Sequence, residues 1–238
     1  MGFLKKFFTN VFDDGAHSQP DHSSFDRVSE DQLEEHLTVA RYGDFELTDA
    51  IRPAYDLKIK PRQGYRHDFY RDEESRTDIP VAMCSASKEV LFDLFMDLLK
   101  PLGQTVDVVL ETSHDHGYGG HTDLYREHID MPVLKSILWE FEDLLLNDGC
   151  TGIAVLNPRI PQEVQFDEHK LLIVYGRPLE MFEHMIEQRG VDNREEMKFI
   201  TEAEHVHSSN DQYADQFEDL RRQLGMDGDG DGAEEAYG

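Results

Sequence analysis

Apolar residues recur along this chain with two periods, and the alternation between them predicts a succession of helices and strands. Val28, Ser29, Gln32 and Leu33 supply a hydrophobic residue, an N-cap, a capping-box partner and a staple position. Leu33, Leu37 and Ala40 continue the apolar edge, so a helix is predicted over about 29–42. From residue 79 the pattern becomes regular. "IPVAMC" suits a buried strand, and Ser87 then opens a helix carrying Val90, Leu91, Leu94, Phe95, Leu98 and Leu99, closed by "KPLG". "TVDVVLET", residues 105–112, is the next strand. After a loop at 113–128, Asp130 caps a helix beginning "MPV", since proline is tolerated in a first turn. Its stripe is Val133, Leu134, Ile137, Leu138, Phe141, Leu144 and Leu145, ending near Gly149. "TGIAVL" is a third strand, and "EVQF" and "KLLIVY" flank "DEH" as a hairpin. Pro178 opens a helix with Leu179, Phe182 and Ile186 facing inward. "MKFITEAEHVH" reads as a further strand, and a last helix at about 211–224 presents Tyr213, Phe217, Leu220 and Leu224.

This order predicts an α/β fold, with α+β as the alternative: a mixed sheet, some of its connections parallel and right-handed, packed by amphipathic helices. Residues 1–24 read as an amphipathic segment and linker, and 25–77 as a helix plus an arm. Residues 78–225 form the α/β domain, and 226–238 a disordered acidic tail.

Charge narrows the partners. The net charge is −27 over 238 residues, and the tail supplies only five of those charges, from Asp227, Asp229, Asp231, Glu234 and Glu235. So acidic a surface repels phosphate backbones, and nucleic acid is disfavoured as a partner of the whole molecule. Residues 51–71 depart from this. Arg52, Lys58, Lys60, Arg62, Arg66 and Arg71 stand against Asp56 and Asp68, interleaved with Tyr55, Tyr65, Phe69 and Tyr70. Such a mixture can grip a single strand by charge and stacking, or wrap the acidic body with its aromatics at the core edge; the overall charge favours the second.

Cys84 and Cys150 are too few for a disulfide framework and read as buried thiols in a reducing cytoplasm. In "MGFLKKFFTNVF", Leu4, Phe7, Phe8, Val11 and Phe12 share one helical side beside two lysines. Residues 1–12 could rest on an anionic membrane, dock onto a partner, or simply fray.

The densest chemistry lies in "SHDHGYGGHTDLYREH", residues 113–128. His114 and His116 alternate, so on a continuing strand both imidazoles would face one way and could share a metal. His121 or His128, with Asp115 and Asp123, could complete the set, leaving Glu111 or Glu127 as general base. Against this, Gly117, Gly119 and Gly120 favour a mobile connection. His205 and His207 alternate on the late strand and could join the first pair, although half-exposed strand histidines are the more ordinary reading. The tail "DGDGDGAEEAYG" starts like a calcium loop, but its twelfth position is Gly238, where a bidentate glutamate is needed. The turn "CSAS" lacks phosphate-loop glycines.

Two functions follow. The first is a non-enzymatic, cofactor-free module that binds another protein, with peripheral membrane contact through residues 1–12. The rival is a hydrolase dependent on a divalent transition metal held by His114, His116, His121 and His128.

Overall fold

A computed structural model describes residues 23–26, 28–71, 76–114 and 122–226. The predicted N-terminal segment 1–12, the acidic tail with its calcium-like loop, and the glycines of the histidine-rich loop lie outside them. Helix α1 (Glu30–Thr38) starts where the capping signal put it. The Gln32 amide donates to Ser29 Oγ, and the Ser29 amide donates to Gln32 Oε1. Two short strands, β1 (Arg41–Tyr42) and β2 (Phe45–Glu46), pair with each other, and β3 (Ile51–Pro53) follows.

The main sheet begins with β4 (Gly64–Arg71) and β5 (Asp78–Ser85), then α2 (Lys88–Leu98), β6 (Thr105–Thr112) and β7 (Thr122–Asp130). Next come α3 (Met131–Glu140), α4 (Glu142–Asn147), β8 (Thr151–Leu156), β9 (Gln162–Phe166) and β10 (Leu172–Gly176). The chain continues through α5 (Glu180–Gln188), β11 (His205–His207) and α6 (Asp211–Gln223). Seven strands lie in the order β4-β5-β10-β9-β8-β6-β7, while β11 pairs with β3 in a small sheet of its own.

The layered α/β arrangement is present, but the expected parallel pairs are not. Every pairing in the seven-stranded sheet is antiparallel. The helix α2 does join two strands, but β10, β9 and β8 stand between them, so the crossover imposes no parallel neighbour. The helix predicted over 29–42 stops at Thr38, with β1 beyond it, and two strands of the main sheet were hidden in stretches read as irregular. The second half of the basic-aromatic arm is β4, the sheet's edge, with Tyr65 and Tyr70 buried and Phe69 exposed. The last part of the histidine-rich stretch is β7, the opposite edge, which pairs with β6 from Thr122 onward. Conversely, only the final three residues of "MKFITEAEHVH" are a strand.

Alternation along the strands separates two faces. On one, Ala82, Cys84, Val108, Leu110, Ile153, Val155, Val164, Phe166, Leu172 and Val174 pack against apolar residues of the helices in one continuous core. Fully burying each large side chain there contributes about 1.5–3 kcal/mol. On the other face, Val81, Ile173 and Tyr175 meet Tyr70, Met197 and Phe199, while β9 presents Glu163 and Gln165, both buried. Cys84 is fully buried and Cys150 half-buried, and neither is in a disulfide. Among the described residues no helix is long and apolar enough to cross a membrane.

One contact places the small sheet. The Ser208 amide donates to Ala50 O, and the Gly149 amide donates to Ser208 O, both at 2.8 Å. A Cβ on Gly149 would stand 2.4 Å from Ala50 O and 2.9 Å from Ser208 N. Glycine at 149 is therefore what lets β11 and its histidines close onto the main body.

Candidate metal centre

Three imidazoles from two separate parts of the chain converge beside that contact. His205 and His207 project from one side of β11 by the two-residue period of a strand. His169 comes from the turn between β9 and β10. That turn is held by Asp167, whose Oδ1 accepts from the Leu171 amide at 2.7 Å and whose backbone bonds to Leu171 and Lys170. Ring centroids are 5.0 Å apart for His169–His205, 4.7 Å for His169–His207 and 5.1 Å for His205–His207. One ring nitrogen from each lies within 4.8 Å of the other two.

These spacings have a simple geometric meaning. A zinc–imidazole bond of ~2.0–2.1 Å puts the ring centre ~3.2 Å from the metal, so tetrahedral ligands have centroids ~5.2 Å apart. The three rings here stand at nearly that separation.

The second ring nitrogen of each histidine has a partner. His205 Nδ1 is 2.8 Å from Ala203 O, and His207 Nδ1 is 2.7 Å from Gly149 O. A carbonyl can only accept, so both Nδ1 atoms carry the proton and each Nε2 carries a lone pair. His169 Nδ1 is 3.0 Å from Asp167 Oδ2, a carboxylate–histidine pair of the kind that orients a metal ligand and raises its basicity.

Electrostatics divides the three. Burial pushes His205 down to about 4, against the bond to Ala203 and with help from the neighbouring imidazoles. Burial and the nearby His169 lower His207 as well. Burial would also depress His169, but the Asp167 charge and hydrogen bond, reinforced by Glu168, hold it above the usual histidine value. His205 is therefore neutral at neutral pH, the form that binds metal.

Comparison with family models, with curated protein sequences and with solved structures gives no match.

A second group adjoins the first. His114, just past β6, offers a ring nitrogen that lies with Asp148 and Cys150 donor atoms in a set mutually within 4.8 Å. Glu168, next to His169 in sequence, accepts from Ser113 Oγ at 3.2 Å and so stands between the two groups. Beneath them runs Lys170, fully buried, with Nζ donating to Thr151 O at 2.9 Å and lying over the Phe166 ring. Burial drives its pKa down to about 8, against the attraction of Asp148, Asp167 and Glu168.

Of the loop histidines expected as ligands, His114 is the one the described residues place near this assembly. His116 and His121 lie outside the described residues. His128 sits at the far end of β7, beside Asp107 and largely exposed. Seven residues of β6 and its extension separate Asp107 from His114, roughly 23 Å at the strand rise, so His128 and His114 cannot share an ion. Neither expected general base fits the role. Glu127 neighbours His128 and is exposed. Burial, then the charges of Asp123 and Asp167, push Glu111 up to about 9. At neutral pH it holds a proton and can only give one. Its carboxyl rests over Gly152, where a Cβ would meet Oε2 at 2.9 Å. Sequence reading singled out His205 and His207 but missed His169, whose only local signal was a polar "DEH" turn.

Proposed function

We propose that this protein binds a divalent transition metal, zinc by donor type, through His169, His205 and His207, and uses it to activate water as a metal-dependent hydrolase. The observation that carries this reading is the near-tetrahedral spacing of three rings whose Nδ1 atoms are each tied to an acceptor. Three protein ligands leave a fourth position for water, which a bound zinc acidifies toward neutral pH. Glu111, whose carboxyl lies over Gly152 and feels the charges of Asp167 and Glu168 beside His169, is held protonated at neutral pH and is a candidate to deliver a proton to a leaving group. Beside the centre, a cavity of about 20 Å³, lined in part by His169, Lys170 and Phe199, has room for about one water.

The contact-module reading rested on an absence of catalytic motifs; its segment 1–12 lies outside the described residues, Phe69 of its basic-aromatic arm is exposed, and two of the arm's arginines are engaged within the chain. Arg52 is buried and donates to Leu37, Thr48 and Ile51 carbonyls, while Arg66 donates to Met197 O and Glu202. The decisive measurement is elemental analysis of untagged, full-length protein, followed by the single variants His169→Ala, His205→Ala and His207→Ala. About one equivalent of metal should be lost in each variant. Retention of the wild-type metal content in all three would reject this centre. Zinc-loaded protein should also cleave a member of an ester, phosphoester and amide panel, and stripping the metal should abolish it.

A further inference from the structure

We infer that His114, Asp148 and Cys150 form a second, independent cation position, selective for a thiolate-binding ion of the zinc class. The donor set is one nitrogen, one oxygen and one sulfur, mutually within 4.8 Å, a combination drawn from zinc's ordinary ligands. Two of the donors are buried polar groups left without hydrogen bonds: His114 Nε2 and Asp148 Oδ1. His114 Nε2 comes within 2.9 Å of Asp148 Oδ2, yet outside hydrogen-bonding geometry. An orphaned buried polar atom gives up its hydration with nothing in exchange. A single cation between them would satisfy both.

The surroundings fix these donors as a ligand shell should. Asp148 is fully buried, and its Oδ2 accepts from Thr151 Oγ1 at 2.5 Å. The His114 ring packs against Phe217 of α6 at 5.7 Å, which sets its plane. Cys150 is half-buried, giving the ion an approach from solvent.

A nucleophile–base–acid relay is the other chemistry open to these residue types, and the contacts disfavour it. A relay needs an aligned hydrogen bond from His114 to Asp148 and another from the thiol to the imidazole. The first is out of line, and the groups that bear on the Cys150 thiol are Ser113, Ser209 and the charges of Asp148 and Glu168, with His114 not among them. Lys170 opposes a second cation, since its charge is felt at both Asp148 and Cys150.

The test uses full-length, metal-free protein titrated with cobalt(II) and with zinc. Wild type should take up two equivalents and show sulfur-to-cobalt charge-transfer absorption in the near ultraviolet. Cys150→Ser should lose that band and one equivalent; Cys84→Ala should keep both, because Cys84 is fully buried in the apolar core. Asp148→Asn should weaken the same equivalent by at least about tenfold, as ligand loss does. His205→Ala should keep the sulfur band while losing the other equivalent, so failure of the three-histidine centre is distinguishable from failure of this one. A wild-type spectrum without the sulfur band, which requires no variant to fold, would overturn the inference. So would an unchanged band in Cys150→Ser.

Discussion

The histidine-rich loop and the three-histidine cluster use the same residue type to opposite effect. Four imidazoles fall within residues 113–128, yet the two at its ends, His114 and His128, are directed to opposite ends of β6. The cluster takes its imidazoles from positions 169, 205 and 207, and the turn, the small sheet and one glycine bring them together. Density along the sequence therefore says little about density in space. What matters is whether each donor sits on an element whose position is over-determined. His169 has a carboxylate-braced turn, and His205 and His207 have strand pairing to β3.

The sharpest way to break this contrast is at Gly149. Replacing it by valine puts side-chain atoms where Ala50 O and the Ser208 backbone already stand. We expect a stability loss of about 3 kcal/mol or more, since overpacking against backbone leaves little room to relax. Zinc affinity at the three-histidine centre should fall by about 10–100-fold, because relieving the clash displaces the backbone carbonyl of residue 149 that orients His207. Denaturant unfolding and a zinc competition titration read the two effects. Wild-type affinity in a destabilised Gly149→Val protein would show that β11 holds its place without this close approach.

A smaller effect tests the polar face that carries the turn. Glu163 is buried on β9, with Oε1 lacking a hydrogen bond, and burial pushes its pKa from 4.5 up to about 8. The folded state therefore binds a proton that the unfolded state releases between those values. Stability should decline as pH rises from about 4.5 to about 8. Glu163→Gln removes this residue's share of the slope and should stabilise the protein by up to about 3 kcal/mol at pH 7, leaving it nearly unchanged at pH 4. Equal stabilisation at both pH values would assign the gain to packing and not to ionisation. Valine at the neighbouring position 164, on the helix-covered face, offers no such titration.

Much of the fold was legible because apolar periodicity reports burial directly. Ser29 and Ser87 mark helix starts in the sequence and in the structure. The strands 105–112 and 151–156 match their apolar runs. The two sheet edges were not legible, because an edge strand meets solvent along one side and need not alternate cleanly. Residues 66–69 of β4 and 125–128 of β7 are mostly exposed or half-buried. Strand direction was also hidden, since helix α2 crosses three strands that come later in the chain. For the site, the His205–His207 spacing was visible locally. Its union with His169 and the pairing of His114 with Asp148 and Cys150 depend on contacts between residues tens of positions apart, for which one sequence carries no signal.

The smallest expected effect comes from His128, and it bears on the comparison from the other side. Its ring is largely exposed, 3.8 Å from Asp107 Oδ1 and 4.0 Å from Glu127 Oε2. The hydrogen bond that fixes this point of β7 comes from the His128 backbone amide to Asp107 Oδ1 at 2.8 Å, which no side-chain change removes. His128→Ala should therefore alter stability by no more than about 0.5 kcal/mol, the usual range for an exposed side chain without a buried role. Metal content and affinity should stay at wild-type values, because the ring lies a strand's length from both donor groups. Loss of a metal equivalent in this variant alone would mean that the loop's histidines act together after all, with β7 bent back toward His114.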